Sequence, residues 1–383
     1  MRILQTIPYM LASQGGPSTC TRDLLQGLLE IGADVNLLTS KPLKETEEVL
    51  GSDSSWIRTF ACDYRTPLAF SNYINYYLHE YQYDIYHANT LWLYPTHATC
   101  QYARKKDKPY IVSPHGMLYP TALAISRWKK RLMERCWFRK DIMKANCIHA
   151  TCVQEMKYCR EYGYKGPIAV IPNPVIFPKE LSLTNSKGTD RRKIGFLGRL
   201  HPIKNVENLI YAISLLKEEE KSALSLQIMG KFDDRYENWL KSEVVRLRLE
   251  DYVNFVGFVT GKEKYDRLSE LWCLMVPSAQ ENFGMIVPEA LICGVPVYAS
   301  LGTPWQDLNT YHCGWWKDNS PNSIAEVMRF VIRMSLNENL EMGQNGYKLI
   351  QEKYEQHKVA RMMYELYSWI MEGGTKPNFV YEE

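Results

Sequence analysis

Short apolar runs, each followed by a helical pattern, recur along the 383-residue chain. This alternation predicts α/β domains, in which helices cover both faces of a mostly parallel sheet. The runs that we interpret as strands in the first half are Arg2–Ile7, Val35–Thr39, Asp84–His87, Tyr110–Ser113, Cys147–Ala150 and Ile168–Ile171. Those in the second half are Lys193–Gly198, Leu224–Met229, Val253–Val256, Leu271–Val276 and Pro296–Ala299. The length of the chain favours two such domains over one.

The alternation is interrupted between residues 173 and 192. Asn173–Pro178 contains two prolines and cannot continue a helix, and Ser182–Arg192 is polar. The predicted organisation is a first domain at residues 1–175, a linker at 176–192, a second domain at 193–356 and a final segment at 357–383. Helical spacing of apolar side chains in that segment predicts a last helix with one buried face. These side chains are Met362, Met363, Leu366, Tyr367 and Ile370.

Composition excludes several protein classes. The chain is 45% hydrophobic, yet it has no apolar run of the roughly 18 residues that a membrane span needs. Met1–Ile7 leads directly into a predicted strand, so we expect no signal peptide. The ten cysteines form no CxxC pair and no Cys/His group at zinc-site spacing. Scattered thiols of this kind favour a cytoplasmic protein with reduced cysteines.

Two carboxylates, Glu281 and Glu289, lie eight positions apart around a Phe-Gly turn. They follow the predicted strand Leu271–Val276 and precede a helical pattern, in which Pro288 suits the first turn. Ligands of α/β sheets bind at the carboxyl ends of the strands. A carboxylate there can accept two hydrogen bonds from the diol of a sugar or a ribose. The backbone amides that would favour an anion beside it are those of Phe283, Gly284 and Met285.

Two cations, Arg199 and Lys204, follow the first strand of the second half, and a helix is predicted from about Asn205. Cations beside a helix N-terminus form a site for a diphosphate, although a pair of solvated surface charges would look the same in isolation. No DxD cluster lies near them, so a metal need not carry the diphosphate. They would instead neutralise charge that builds up on a leaving phosphate.

Gly15 and Gly16 lie where the first predicted strand meets its helix, which we expect to begin at about Thr19 with Ser18 as its N-cap. Glycine there allows a backbone amide to approach a phosphate or sugar closely, and a plain turn is the alternative. The chain has no GxGxxG motif, so a nicotinamide cofactor is not expected. His115 lies between Pro114 and Gly116, after another predicted strand, where an imidazole can bind a sugar hydroxyl or orient the reacting centre.

Other residues carry weaker signals. His87 and Asn89 lie at the end of the predicted strand Asp84–His87, in a similar rim position, and could contact a donor or an acceptor, or serve structure alone. Tryptophans stack on sugars and bases, but buried packing explains three of them at least as well. These three are Trp305, Trp315 and Trp316.

Positive charge is concentrated in the first half of the chain. Residues 1–188 hold 23 basic against 16 acidic residues (+7), whereas the remainder holds 23 against 27 (−4). A helical region is predicted from about Ser126 to Lys144, and Arg127–Lys144 has eight basic and two acidic residues, interleaved with Trp128, Trp137 and Phe138. Such a helix suits a bilayer surface rich in anionic lipid, and an ordinary solvated helix face is the equal alternative. Nucleic acid is not expected, because the charge is local and no nucleic-acid-binding module is recognisable.

The chain resembles the retaining glycosyltransferases of family 4, whose GT-B fold consists of two Rossmann-like, doubly wound domains facing across a cleft. The resemblance covers nearly the whole chain. It rests on Gly15-Gly16, Ser113-Pro-His115-Gly-Met117, Ile171-Pro-Asn-Pro174, Gly198-Arg199-Leu-His-Pro-Ile-Lys204-Asn205 and Glu281-x7-Glu289. The Pro-His-Gly-Met and Gly-Thr-Pro-Trp segments are similar to those of a subgroup in bacterial capsule, O-antigen and exopolysaccharide synthesis. Asn173-Pro174 departs from the Asn-Gly that is common at this linker entry, which affects linker geometry only.

The resemblance implies that the second domain binds a nucleotide-diphosphate sugar. Arg199 and Lys204 would hold the diphosphate, and Glu289 would bind the ribose hydroxyls. Glu281 would contact the donor sugar, aided by the amides near Phe283 and Gly284. His115 would reach the same sugar from the first domain, and the last helix would pack on that domain.

The resemblance also implies transfer with retention at the anomeric carbon, without a metal or another cofactor. We expect UDP as the first choice of nucleotide and GDP as the second, with a glycan or a polyprenyl-diphosphate-linked glycan as acceptor. The expected location is the cytoplasm, with peripheral contact at the inner face of the cytoplasmic membrane as a further hypothesis. Two alternatives remain: a nucleotide-sugar epimerase or hydrolase of the same fold, and a non-catalytic nucleotide-sugar-binding protein.

Overall fold

The computed structural model describes residues 1–11, 15–42, 44, 47–63, 68–178, 191–231 and 234–382. The chain divides into two compact units. The first is formed by Met1–Ile176 together with Tyr354–Glu383, and the second by Phe177–Lys353. The predicted linker, 176–192, falls largely on residues 179–190, which lie outside the described part of the chain. The chain thus leaves the first unit once and returns to it at Tyr354.

The first unit is built on an eight-stranded sheet. Numbered along the chain, its strands are β1 (Arg2–Tyr9), β2 (Asp34–Ser40), β3 (Ile57–Phe60), β4 (Ile85–Asn89), β5 (Tyr110–Ser113), β6 (Cys147–Ala150), β7 (Ile168–Val170) and β14 (Val380–Tyr381). Their order across the sheet is β14-β7-β6-β5-β4-β1-β2-β3. All neighbours are parallel except β14, which pairs with β7 in the antiparallel sense. Parallel pairing places the carboxyl ends of β1, β4 and β5 at one edge.

Helices cover both faces of this sheet. They are α1 (Gly16–Glu30), α2 (Asn72–Glu80), α3 (Tyr94–Lys105), α4 (Pro120–Ala124), α5 (Arg127–Met133), α6 (Arg139–Met143), α7 (Val153–Glu161) and α16 (Gln356–Glu372). Successive residues of a strand point to opposite faces. Ile3 and Leu4 accordingly belong to two different hydrophobic clusters. The sheet is therefore buried on both sides, as its apolar strands predict.

The last helix, α16, packs on the first unit. Its buried face includes Met363, Leu366 and Tyr367, whereas Met362 and Ile370 are only partly buried. The Gln356 side chain donates a hydrogen bond to the carbonyl of Asp23 in α1 (2.7 Å). The contact between the two helices is close: a Cβ on Gly27 would lie 2.9 Å from Gln356 Cγ. The helix therefore completes the core of this unit.

The second unit contains a six-stranded parallel sheet with the order β10-β9-β8-β11-β12-β13. Its strands are β8 (Arg192–Leu197), β9 (Leu224–Met229), β10 (Val253–Gly257), β11 (Cys273–Val276), β12 (Val297–Ser300) and β13 (Gly314–Lys317). Its helices are α8 (Val206–Ser214), α9 (Glu218–Ser222), α10 (Asp234–Arg246), α11 (Gly261–Ser269), α12 (Ile286–Ile292), α13 (Asp307–Thr310), α14 (Pro321–Arg333) and α15 (Leu336–Lys353). β8 lies beside β11, so the loops that leave these strands are neighbours.

One local prediction was wrong. Ser18 does not cap α1: the helix already begins at Gly16, and the Ser18 hydroxyl instead donates to the carbonyl of Tyr9 (3.1 Å). Pro17 needs no partner for a backbone N–H in the first turn, which allows this earlier start. The helical region predicted over Ser126–Lys144 is confirmed: α5 and α6 are joined without a break by a π-helical segment at Glu134–Phe138. The short strands β3, β13 and β14 were not predicted.

Candidate functional site

The loops that leave β8 and β11 meet at the edge of the second sheet. After β8 the chain forms a 3₁₀ turn at Pro202–Lys204, and His201 Nδ1 accepts a hydrogen bond from the amide of Ile203 (3.2 Å). The carbonyl of Ile203 in turn accepts from the amide of Ala279, which follows β11 (2.8 Å). This bond joins the two loops directly. It explains why residues 77 positions apart, Lys204 and Glu281, come together.

Lys204 and Glu281 form an ion pair, in which Lys204 Nζ donates to Glu281 Oε1. Their side chains are only 16% and 14% exposed. The hydroxyl of Ser278 donates to the same carboxylate oxygen (2.9 Å). Both bonds end on Oε1, which leaves Oε2 of Glu281 to receive a hydroxyl of a ligand. The ammonium of Lys204 has three donors, so it can hold a phosphate oxygen as well as the carboxylate.

Glu289 lies in the first turn of α12 and pairs with Lys264 of α11, with Lys264 Nζ 2.8 Å from Glu289 Oε1. Burial acts to lower the pKa of Lys264, but the Glu289 carboxylate acts the other way and leaves that pKa above its usual value. Lys264 was missed by the sequence analysis. In the charged stretch that begins α11, nothing local distinguishes it from Lys262, which pairs with Asp266 on the surface.

A tryptophan holds the turn between the two carboxylates. Trp305 is buried, its indole N–H donates to the carbonyl of Phe283 (2.6 Å), and the two rings meet at 61° with centroids 5.1 Å apart. Gly284 has a φ of 78°, which glycine adopts without strain. Trp316 similarly donates to the carbonyl of Thr303 (2.9 Å). Trp305 and Trp316 therefore hold the loops together, which agrees with packing, the second of the two interpretations given for these tryptophans.

The remaining predicted residues of the second unit lie in the same loops. Arg199 follows Gly198 at the exit of β8, and its side chain is exposed. The carbonyl of Gly284 accepts a hydrogen bond from the amide of Val287, and that of Met285 accepts one from the amide of Glu289. These two hydrogen bonds form the first turn of α12. The structure thus brings Lys204 to Glu281 and pairs Glu289 with Lys264, and it places Arg199 on the loop that carries Lys204.

In the first unit, His115 follows β5 with a φ of 51°, which is uncommon outside glycine. Its Nε2 lies 3.1 Å from Asn89 Oδ1. Burial, with a smaller effect of His149, lowers the pKa of His115 to about 3, so the imidazole is neutral near pH 7. The next amide, Gly116, donates to Glu155, whose other oxygen accepts from the amide and hydroxyl of Thr151. The loop that carries His115 is therefore fixed by a buried carboxylate.

The other candidates in the first unit differ in exposure. His87 and Asn89 are almost fully buried and bonded to other side chains, so they do not line an open surface. Gly15, with a φ of 73°, precedes α1, and a Cβ on Gly15 or Gly16 would have no atom within 4 Å. Among the described residues, none therefore fills the space beside these two glycines.

Two further observations concern membrane spans and metal sites in the described part of the chain. No helix there is both long enough and apolar enough to cross a bilayer. Likewise, no group of three or more His, Cys, Asp or Glu side chains within the described ranges is arranged to hold a metal ion.

Three comparisons with known proteins are informative. The chain is 28% identical over 227 residues to mannosylfructose-phosphate synthase of Agrobacterium fabrum, covering 50% of this chain and 48% of that protein. It is 29% identical over 109 residues to O-antigen chain mannosyltransferase B of Escherichia coli, covering 27% of each. The crystal structure of Anabaena HepE with UDP and glucose matches 96% of this chain and 99% of its own with a TM-score of 0.70 at 17% identity.

The curated relatives are matched over about half of their length or less. The structural match, at its low identity, shows that the two chains share the GT-B fold. Family models cover both units: that of glycosyltransferase family 4 matches residues 14–176, and that of glycosyl transferases group 1 matches residues 180–349. The chain therefore belongs to the group 1, family 4 glycosyltransferases.

Proposed function

We propose that the protein transfers one sugar from a nucleotide-diphosphate sugar to a hydroxyl of a glycan or lipid-linked glycan, with retention at the anomeric carbon. The observation that carries this proposal is the Lys204–Glu281 pair at the carboxyl ends of β8 and β11. A partly buried cation can bind a phosphate and a partly buried carboxylate can bind sugar hydroxyls, and here the two are in direct contact. Solvated surface charges do not account for a pair that is less than one-fifth exposed.

The roles follow from this placement. Lys204 and Arg199 would bind the diphosphate, and Glu281 would accept hydroxyls of the donor sugar through Oε2. Glu289 would bind the ribose diol. The amides of Phe283, Gly284 and Met285, together with the turn at Gly15 and Gly16, would approach the donor with their backbone. His115 would contact the donor sugar.

The ion pairs prepare the site for its ligand. A carboxylate beside an incoming diphosphate would repel it, but Lys204 compensates the charge of Glu281 in advance. Lys264 does the same for Glu289. When the diphosphate arrives, the ammonium of Lys204 can redirect its donors toward phosphate oxygens while keeping one for Glu281. Little reorganisation is needed, which is how preorganised sites stabilise charge.

We propose a front-face substitution for the chemical step. The bond from the anomeric carbon to the phosphate oxygen breaks, and the bond to the acceptor oxygen forms on the same face of the sugar. The proton of the acceptor hydroxyl moves to the departing phosphate oxygen, and Lys204 and Arg199 neutralise the negative charge that remains. A double displacement would need a carboxylate on the opposite face of the sugar. Glu281 is held instead beside a cation and a hydroxyl, as suits hydroxyl binding.

UDP is our first proposal for the nucleotide and GDP the second. The structure of Anabaena HepE contains UDP and glucose, which supports a uridine nucleotide for a protein of this fold. The similarity to the O-antigen mannosyltransferase of Escherichia coli supports a role in bacterial polysaccharide synthesis, with a polyprenyl-diphosphate-linked glycan as acceptor. We propose that the reaction needs no metal, because two cationic side chains are available for the diphosphate.

A thermal-shift screen of nucleotide sugars tests the donor. A ligand that binds only the folded state, present at one hundred times its Kd, stabilises by about 2.7 kcal/mol and should raise the melting temperature of a 383-residue chain by roughly 3–4 °C. We expect one nucleotide sugar to exceed the others. If no nucleotide sugar or free nucleotide shifts the melting temperature, the proposed donor site is wrong.

Incubation of that donor with the protein separates the proposed function from its alternatives. Without acceptor, we expect slow loss of donor at most, whereas an epimerase or hydrolase would convert it completely. With a lipid-linked glycan, we expect a product whose new linkage keeps the anomeric configuration of the donor, as NMR coupling constants would show. An inverted product would rule out the front-face route. A non-catalytic binding protein would bind the donor and form no product with any acceptor offered.

The basic segment supports a second proposal, contact with an anionic membrane surface at the inner face of the cytoplasmic membrane. Trp128 and Leu132 lie one turn apart on α5, and Ile125 lies just before this helix; all three are among the most exposed large apolar side chains, with Trp128 69% exposed. The surrounding cations complement an anionic lipid surface. Lys140 and Lys144 of this segment line a cavity of about 1000 Å³, whose lining adds Arg104, Lys105 and Lys108. An apolar face ringed by cations matches a bilayer interface.

Sedimentation with anionic liposomes tests this contact. We expect Trp128→Ala combined with Lys129→Gln and Arg131→Gln to abolish pelleting with liposomes. Lys130 should be left intact, because it donates to the carbonyl of Ala122 and lies over the Trp92 ring. Phe330→Ala, which removes another exposed aromatic side chain, is the control and should pellet like the parent. Equal pelleting of the triple variant and the parent would refute the proposal.

A further inference from the structure

Seven polar side chains form one hydrogen-bonded chain through the first unit. In order they are His115, Asn89, Gln5, Tyr367, His87, Ser113 and His149, and the carbonyl of Ile171 ends the chain. The successive distances are 3.1, 3.0, 2.9, 2.7, 2.6, 2.7 and 2.8 Å. Apart from His115, no member is more than 4% exposed. Water is therefore excluded as an alternative partner for most of its length.

The carbonyl at the far end determines the direction of the chain. A carbonyl only accepts, so His149 must carry its proton on Nε2. Burial lowers the pKa of His149 to about 4, so the ring is neutral and its Nδ1 accepts. The hydroxyl of Ser113 must then donate to that nitrogen and accept from His87 Nε2.

The same logic continues toward His115. Burial, and secondarily His149 and His115, holds the pKa of His87 well below its usual value, so His87 Nδ1 accepts. The hydroxyl of Tyr367 must therefore donate to His87 and accept from the amide nitrogen of Gln5. The oxygen of Gln5 faces the amide nitrogen of Asn89, and the oxygen of Asn89 faces His115. Every bond then points the same way, and only an imidazole with its proton on Nε2 completes the chain.

We propose that Tyr367, on the C-terminal helix α16, is a positioning residue that selects the Nε2–H tautomer of His115. This inference rests on the proposed function in one respect, the place of His115 beside the donor sugar. In this tautomer Nδ1 carries the lone pair and accepts a hydrogen bond from a sugar hydroxyl. The opposite tautomer would present a donor. The last helix of the chain thus influences the polarity of a group 252 positions away in the sequence.

Tyrosine is required at this position because its hydroxyl both donates and accepts. Phenylalanine would leave His87 Nδ1 and the Gln5 amide without partners. The amides of Gln5 and Asn89 could then both reverse, which would turn a donor toward His115 and favour its Nδ1–H tautomer. His149 would keep its proton on Nε2, because its bond to the Ile171 carbonyl does not depend on Tyr367.

Long-range ¹H–¹⁵N NMR of histidine-labelled protein at pH 7 tests the proposal directly. In the parent we expect His115, His87 and His149 all to be neutral with the proton on Nε2. In Tyr367→Phe we expect His115 to become a mixture of tautomers, while His149 is unchanged and reports an intact fold. Tyr364→Phe changes an exposed tyrosine of the same helix and should leave all three rings as in the parent.

The outcomes can be distinguished from failure of the proposed function, because the tautomer is measured without donor. An Nδ1–H tautomer of His115 in the parent overturns the proposal, and this holds even if Tyr367→Phe does not fold. A folded Tyr367→Phe variant in which His115 remains entirely in the Nε2–H tautomer also overturns the proposal. With donor and acceptor we expect kcat of Tyr367→Phe to fall roughly tenfold, a typical loss for an orienting partner. If the tautomer of His115 changes in Tyr367→Phe but turnover does not, the role of Tyr367 is confirmed and the proposed contact of His115 with the donor sugar is wrong.

Discussion

Replacing Lys204 by alanine should lower kcat roughly 30- to 1000-fold, which corresponds to a loss of about 2–4 kcal/mol of transition-state stabilisation. The ammonium would no longer neutralise the charge that develops on the leaving phosphate. In addition, the Glu281 carboxylate would lose its cation in a partly buried site, keep the hydrogen bond from Ser278 and repel the diphosphate. We therefore expect KM for the donor to rise as well. Steady-state kinetics with the donor identified by the thermal-shift screen would measure both effects.

The control for this variant is Lys193→Ala. Lys193 also pairs with a glutamate of the second unit, Glu270, at 2.7 Å, but both side chains are 48% exposed. Exposed pairs contribute little, so activity should be unchanged. Lys204→Arg keeps the charge and should retain part of the activity. Full turnover by Lys204→Ala, in protein shown to be folded by its thermal transition, would show that Lys204 does not stabilise the leaving group.

The second large effect is on stability, at Gly302. A Cβ on this residue would lie 2.1 Å from the carbonyl oxygen of Ala279 and 2.8 Å from that of Ser278. Backbone cannot yield as a flexible side chain can, so the loop after β11 would have to move. The carbonyl of Gly302 also accepts from the amide of Glu281 (2.9 Å), and the move would displace this carboxylate. We expect Gly302→Ala to lower the free energy of unfolding by about 3 kcal/mol and to reduce turnover.

Urea unfolding of Gly302→Ala and the parent would measure the loss. Gly16→Ala is the stability control, because a Cβ there meets no atom within 4 Å and should change stability by no more than about 0.5 kcal/mol. Gly302→Ala with the stability of the parent would mean that the loops carrying Ser278 and Gly302 are not packed as described.

Much of the fold of the second unit was predictable because its signals are local. Apolar runs predicted the strands β8 to β12, and Pro288 correctly indicated the first turn of α12, where Glu289 lies. The place of Arg199 and Lys204 at the exit of β8 also follows from the run that precedes them. Such features depend on neighbours within one or two turns of the chain, which the sequence displays directly.

What could not be predicted depends on partners that are distant in sequence. Lys264 becomes notable only because α11 brings it to Glu289, and Ser278 because its hydroxyl meets Glu281. The sequence predicts His87 at the end of a strand, but β4 extends two residues further, to Asn89, and Tyr367 of α16 packs against the His87 ring. The β14 strand is only two residues long, too short for a pattern, and exists through pairing with β7.

The most direct test of the donor site compares the binding of a nucleoside diphosphate and a monophosphate by isothermal titration calorimetry. Lys204 and Arg199 are assigned to the second phosphate, so UDP should bind the parent at least about tenfold more tightly than UMP, or GDP than GMP, which is roughly 1.4 kcal/mol. The double variant Arg199→Ala and Lys204→Ala should bind the diphosphate and the monophosphate alike. A preference for the diphosphate that persists in the double variant, or its absence in the parent, would contradict the account.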